Sequence, residues 1–448
     1  MSSKDLSVGG GVRNSVCSTD DGGLSVVRIK PLGVGVSDQG ALQAAKSVEF
    51  STEAAELTVD GRRFTYPSHV ISPTMDNQAL YDAFMPTRVE AFLKGINVNI
   101  MAYGQTGSGK THTMFGPPGI MARASAGEYG DEVCPDYGLF PRGLLAIFEA
   151  VERMRQAGES AVLTASAVEL SIEGNQDMLS RGAVVRDPRG SKFAFDGAQL
   201  GVTVDRAADP PRLYGMTELR LDSHESLRKV YAGIATRNTA ATMMNDSSSR
   251  SHCFAFLTLR VHDRTADTIQ MSRFQFCDLA GSERLQEAHG KAANPFKDGG
   301  EALNGFMTNY SLMMLSSCAR QLLEARRKGK MKSFSFRTYL VDLVMLLKES
   351  MTGIAATACF VCLSQAPANL LQSKYALDFG EVFAKLSSQP KALPPQSRLK
   401  LEKATSTLLQ EAEKVLAGPN GGGTYKTTRI AQKRDCEQLL EILDRLIQ

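Results

Sequence analysis

Eight consecutive residues, Gly104-Gln105-Thr106-Gly107-Ser108-Gly109-Lys110-Thr111, set two glycines four residues apart and follow the second with a lysine and a hydroxyl. Glycines at 104, 107 and 109 can take backbone angles closed to other residues, so successive N–H groups can turn inward onto a polyphosphate. Lys110 would bring a point charge to the β- and γ-phosphates, and the Thr111 hydroxyl would ligate Mg²⁺. Two later stretches carry compatible chemistry. Asn245-Asp246-Ser247-Ser248-Ser249-Arg250-Ser251-His252 packs hydroxyls, a guanidinium and an imidazole into one short run, which suits a loop closing over a γ-phosphate and its cation. Asp278-Leu279-Ala280-Gly281-Ser282-Glu283 puts an acid at the end of an apolar run, where Asp278 could hold Mg²⁺ through water and the Gly281 N–H could meet the γ-phosphate.

These groups need a scaffold, and hydrophobic patterning supplies one. The apolar run 98–103 predicts a buried strand entering the glycine loop, with a helix leaving it. Strands are also expected at 24–31, 64–66, 161–172, 253–261, 271–277 and 358–363, and a weak one at 213–221. Helices are expected over 77–95 with a break at Pro86, over 140–155, and over 223–241. Residues 115–137, rich in Gly, Pro and charge, read as an exposed loop. Residues 1–23 read as a flexible polar tail.

Composition narrows the class. The chain has 448 residues and 43% hydrophobic residues, enough for a large core. A net charge of +3 is too small to imply a polyanionic partner such as nucleic acid by itself. The eight cysteines are thinly spread, which points to a reducing compartment. Cys359 and Cys362 lie in an apolar strand-like run, so they should face opposite sides rather than share a metal. There is no signal-peptide pattern and no apolar run long enough to span a membrane, so a soluble intracellular protein is expected.

Taken together, the three motifs resemble those of kinesin motor domains: the phosphate loop, the first switch Asn-x-x-Ser-Ser-Arg-Ser-His and the second switch Asp-Leu-Ala-Gly-Ser-Glu. Myosins and other P-loop proteins share only the first of these closely. Arg28-Ile29-Lys30-Pro31, Tyr81, Gly138-Leu139-Phe140-Pro141-Arg142, Val168-Glu169-Leu170 with Asp177-Met178-Leu179, and residues 375–385 extend the resemblance over residues 24–386. It implies an α/β P-loop NTPase with a central, mostly parallel eight-stranded sheet and helices on both faces. It also implies ATP and Mg²⁺ as cofactors, a microtubule partner, and a cytoplasmic, cytoskeletal location. Carried over by position, Arg28, Pro31 and Tyr81 would meet the base, and Gln105, Thr106, Gly107, Ser108, Gly109, Lys110, Thr111 and His112 the phosphates. Thr111 and Ser249 would ligate Mg²⁺ directly and Asp278 through water. Asn245, Ser248 and Gly281 would order the γ-phosphate and the attacking water, and Arg250 with Glu283 would form the ion pair that closes the switches. The expected function is a microtubule-stimulated ATPase coupling nucleotide state to filament binding or movement, with a non-motile scaffold or a microtubule-end depolymeriser as alternatives.

Departures gather where kinesins meet the filament. Residues 307–316 read Met-Thr-Asn-Tyr-Ser-Leu-Met-Met-Leu-Ser, with Tyr310 where the family usually has lysine, and residues 335–342 keep Arg337 but lose the family's lysine. The segment 290–305 has extra glycine-rich turns. Offsetting this, Arg326, Arg327, Lys328, Lys330 and Lys332 put five positive charges into seven residues that could attract acidic tubulin tails. The linker 387–396 carries Pro390, Pro394 and Pro395, which should make docking by a hydrogen-bond ladder poor. Within the C-terminal segment 397–448, two helices are expected at 397–416 and 428–447, separated by a Gly/Pro-rich breaker. Their short heptad patterns suit either a weak homodimer or packing back on the head.

Overall fold

The computed structural model describes residues 24–32, 43, 47–171, 174–180, 202–205, 212–243, 250–282, 300–339, 341–386, 388–419 and 426–447. Asn245, Ser248, Ser249, Glu283 and the tail 1–23 lie outside them, as do most of the breaker at 418–423 and most of the 290–305 departure. The central sheet is built on eight strands: β1 (Leu24–Ile29), β2 (His69–Ile71), β3 (Val98–Tyr103), β4 (Ser160–Ser171), β5 (Leu219–Arg220), β6 (His252–Asp263), β7 (Thr268–Asp278) and β8 (Ala356–Leu363). They run in the order β5-β4-β6-β7-β3-β8-β1-β2. The four pairings from β7 to β2 are parallel, and the three from β5 to β7 are antiparallel. Two short strands, Gly174–Asp177 on β4 and Gln396–Ser397 on β7, bring the sheet to ten. All six residues of β3 are buried, as a parallel strand covered on both faces requires.

Helices cover both faces: α1 (Asn77–Phe84), α2 (Pro86–Leu93), α3 (Lys110–Met114), α4 (Leu139–Gln156), α5 (His224–Met243), α6 (Gly300–Arg327), α7 (Leu370–Ala384), α8 (Arg398–Ala417) and α9 (Lys426–Ile447). Asp76 caps α1 by accepting from the Ala79 N–H, and Pro86 starts α2, so the break expected there separates two helices. Each sheet face has its own core. Along β8, Ala358, Phe360 and Cys362 join the core that includes Phe140 and Phe276, while Cys359, Val361 and Leu363 join the core that includes Phe256, Leu315 and Phe383. The two cysteines of the C-x-x-C therefore face opposite sides, as the strand period dictates. The segment 115–137 is not simply an exposed loop. It contains the helix Ile120–Ser125, and Ile120, Met121, Cys134 and Tyr137 are buried in the first core.

The linker corrects a second expectation. Gln389, Lys391 and Leu393 donate their N–H groups to the carbonyls of Gly353, Ile354 and Gly95, and the Gln270 side chain donates to the Leu393 carbonyl. These donors fall on alternate residues, whereas Pro390 and Pro394 take the opposite parity and Pro395 follows the last donor, so no bond of this ladder falls on a proline. Ser397 and Gln396 then pair with Thr268 and Ile269 of β7. Beyond the linker, α8 and α9 pack on each other, burying Thr405, Ala412, Ala431 and Cys436. Ile442, Leu443 and Leu446 of α9 bury against Val162 and Ile269 of the sheet. Val162 shares strand parity with Val168 and Leu170, and Ile269 with Cys277, so the hairpin lies on the same sheet face as α6. The apolar stripe of α9 is thus used against the head, while Leu408 and Val415 of α8 stay exposed.

Candidate nucleotide site

The glycine loop is fixed by close backbone approach. A Cβ on Gly104 (φ 151°) would lie 2.3 Å from the Cys362 carbonyl oxygen, so only glycine fits between β3 and β8. The Gly104 carbonyl in turn accepts from the Ser282 N–H at 3.1 Å, joining the loop to the segment after β7. Gly109, in the left-handed region at φ 99°, caps α3, and no described residue lies within 4 Å of where its Cβ would be. Lys110 is buried and its Nζ donates to the Gln105 carbonyl at 2.8 Å, which holds the charge over the loop. The end of β1 closes the other side: Lys30 Nζ donates to the Gly107 carbonyl at 2.8 Å, and Arg28 Nη1 to Thr113 Oγ1 at 2.8 Å. Pro31 is exposed beside them. Asn77 Nδ2 donates to the His112 carbonyl at 3.2 Å, bringing α1 against α3, with half-buried Tyr81 one turn further along α1. Burial, and then the positive charges of Arg28 and Lys30, lower the His112 pKa, so its imidazole stays neutral at pH 7.

Asp278 is the electrostatic centre. Its Oδ2 accepts from the Thr111 hydroxyl at 2.7 Å and from Arg237 Nη1 at 2.6 Å, and both ionic side chains are almost wholly buried. Burial alone would lower the Arg237 pKa, but the carboxylates of Asp278 and Glu169 outweigh it and hold the guanidinium charged. Arg237 Nη2 also donates to the Ser251 carbonyl at 2.9 Å, so one guanidinium from α5 ties together the ends of both switch segments. The buried Oδ1 of Asp278, Oγ of Ser108 and Oε1 of Gln105 have no hydrogen-bond partner among the described residues. Orphaned acceptors and a hydroxyl around a glycine cradle are the donor set that a polyphosphate with a hard divalent cation would satisfy. The residues present therefore fit Mg²⁺ and nucleotide: Thr111 directly and Asp278 through water would meet the cation, and the loop with Lys110 would meet the phosphates.

His252 connects this centre to α6. Burial, then Arg237 and Lys110, push its pKa down to about 3, so the ring is neutral. Its Nδ1 accepts from the Ala280 N–H at 3.1 Å, which leaves the proton on Nε2, 2.8 Å from Ser311 Oγ. Ser311 Oγ donates to the Thr308 carbonyl at 2.6 Å, and Thr308 Oγ1 to the Arg250 carbonyl at 2.6 Å. Arg250 is half-buried and Gly281 buried; the end of the first switch segment meets α6 through these short polar contacts, and the second reaches α6 by way of the Ala280–His252 bond.

Sequence reasoning named Lys30 only within the Arg28–Pro31 stretch and Thr308 and Ser311 only within residues 307–316, not as parts of this network, and it missed Arg237, whose one signal was an arginine eight residues before Asn245. At the far end of α6, the basic run is less free than its composition suggests. Arg326 Nη2 donates to the Thr352 carbonyl at 2.9 Å, and Lys328 pairs with Glu324. Arg327, Lys330, Lys332 and Arg337 are exposed, as is Met313 at 54% on the same helix.

Comparison with known proteins gives the family. The chain is 26% identical over 390 residues to chromosome-associated kinesin KIF4 of Xenopus laevis, covering 85% of this chain and 28% of that protein. It is 29% identical to kinesin-like protein KIN-12B of Arabidopsis thaliana (78% of this chain, 24% of that one). To kinesin-like protein KIF7 of Mus musculus it is 28% identical (85% of this chain, 26% of that one). It thus spans about a quarter of the length of these relatives. In fold it is similar to a solved structure described as a fast kinesin, with a TM-score of 0.62 and 22% identity, covering 85% of this chain and 96% of that one. The family profile described as the kinesin motor domain matches residues 28–386, and with that match over most of its length the chain belongs to the kinesin motor domain family.

Proposed function

We propose that the chain is an ATP-hydrolysing kinesin head that binds microtubules and couples its nucleotide state to filament binding or movement. The observation that carries this reading is the continuous network from Thr111 and Asp278 through Arg237 and His252 to Thr308 and Ser311 on α6. A change at the phosphate end alters partners that α6 also uses, so the helix feels the site. Lys110 and the loop amides bind and orient the phosphates, and Thr111 and Ser249 directly, with Asp278 through water, would hold Mg²⁺, which supplies charge neutralisation to phosphoryl transfer. Asn245, Ser248 and Gly281 order the γ-phosphate and the attacking water. Arg250 and Glu283 pair when the switches close, so that catalysis rests mostly on positioning and preorganised charge.

In this reading filament binding falls to α6 and the basic run after it, and the protein works on the microtubule cytoskeleton. Among the described residues no helix is long and apolar enough to cross a membrane. The reading is tested by co-sedimentation with stabilised microtubules in ADP and in a non-hydrolysable ATP analogue, each with Mg²⁺. Binding that differs between the two states is expected. Equal binding in both would leave only a static scaffold.

A further inference from the structure

The hairpin of α8 and α9 grips the head at three places. Arg398 donates its N–H to the Asp267 carbonyl at 3.1 Å and its Nε to Asp267 Oδ1 at 2.6 Å, fixing the point where the linker ends. The polar edge of α9 reads the backbone of 215–218: Asp435 accepts from the Gly215 N–H, Gln438 accepts from the Glu218 N–H at 2.8 Å, and Gln438 Nε2 donates to the Met216 carbonyl at 3.0 Å. Arg434 adds a bond to Thr217 Oγ1. The apolar edge buries Ile442, Leu443 and Leu446 over Val162 and Ile269. Ile269 is common to both halves, because its backbone pairs with Gln396 of the linker while its side chain lies under α9.

We propose that this hairpin is a latch that keeps the linker docked on the head whatever nucleotide is bound, so that the linker moves only when α9 releases the sheet. A docked strand ordinarily frays from its free end, breaking one hydrogen bond at a time. Here the fraying end is clamped by Arg398 and by the packing of α8 against α9. The other end is anchored by buried Leu386 at the exit of α7. The bonds from Gln389, Lys391 and Leu393 must therefore break together with the hairpin contacts rather than in sequence. The latch takes from the preceding section only that the head binds nucleotide.

Hydrogen exchange on the full chain tests it, following the amides of Gln389, Lys391 and Leu393 without nucleotide, with ADP and with a non-hydrolysable ATP analogue. In the unmodified chain their exchange should be the same in all three states. In Leu443→Ala with Leu446→Ala, exchange should quicken by roughly tenfold or more, while amides of β3 stay protected. If that pair fails to fold, Arg434→Ala with Gln438→Ala removes only the polar grip and should act in the same direction. Linker exchange that already varies about tenfold with nucleotide in the unmodified chain, or that is unchanged in the variants, overturns the latch. A fluorescent nucleotide titration run in parallel separates the two readings: if no nucleotide binds, the functional reading fails, and the nucleotide-free comparison of variant with parent still decides the latch.

Discussion

Arg237→Leu should destabilise the head far more than an ordinary helix substitution. The side chain is 2% exposed and its partner Asp278 1% exposed, with 2.6 Å between Nη1 and Oδ2. Removing the guanidinium leaves a buried carboxylate with, among the described residues, the Thr111 hydroxyl on Oδ2 and no partner on Oδ1, and it also takes the Arg237 bond away from the Ser251 carbonyl. Breaking one side of such a pair costs about 3–5 kcal/mol, because the surviving charge stays buried. Adding Asp278→Asn in the same chain takes that charge away, so the double variant should be more stable than the sum of the singles by roughly 1–3 kcal/mol. The assay is urea unfolding followed by circular dichroism, since the chain has no tryptophan, in nucleotide-free buffer with chelator. An Arg237→Leu cost below about 1 kcal/mol, or single-variant effects that add within about 0.5 kcal/mol, would refute the claim that the two groups form one electrostatic unit.

Gly104→Ala should cripple nucleotide binding, because its Cβ would meet the Cys362 carbonyl at 2.3 Å and neither backbone can rotate away; a titration showing parental affinity would contradict the packing argument. Replacing Arg327, Lys330 and Lys332 by Ser should raise the microtubule concentration for half-maximal binding at low salt and leave nucleotide affinity unchanged; co-sedimentation across a salt series checks both, and the difference should vanish at high salt. Asp435 gives a pH dependence whose sign follows from its environment. Burial raises its carboxyl from 3.8 to about 7 in the docked hairpin, against opposing help from the Gly215 N–H and Arg434 and with Glu218 and Asp177 adding to the rise. A raised docked-state pKa means a contribution that is full below the free value and lost as pH climbs through 7, so α9 should hold the head more weakly at pH 8 than at pH 5. Asp435→Asn should flatten that dependence, read from the distance between spin labels on α9 and α4.

How much of this was legible depends on whether the chemistry was contiguous. The glycine loop could be read directly, because spacing, flanking strand and following helix all lie in one stretch, and Asp278 because it ends an apolar strand. Arg237 could not, since an arginine inside a helical pattern reads as a solvated face until the fold sets it against a strand end 41 residues away. Lys30 is likewise separated from Gly107 by 77 residues and meets it only because β1 lies beyond β8 from β3 in the sheet. The linker misled for a different reason: three prolines counted as three lost donors, whereas the ladder uses alternate residues and the prolines miss them. The C-terminal heptads left dimer and intramolecular packing equally open, and only the complementarity of α9 to Val162, Ile269 and the 215–218 backbone chooses the second in this structure.

ATP turnover with Mg²⁺, measured with and without stabilised microtubules in the parent chain and in Lys110→Ala, tests the central claim most directly. The loop, the Thr111–Asp278–Arg237 centre and its link to α6 predict measurable basal turnover, stimulation by microtubules, and loss of both in the variant while its circular dichroism spectrum is retained. Parent and variant hydrolysing ATP equally, or a parent that turns over none with or without filaments, would contradict it.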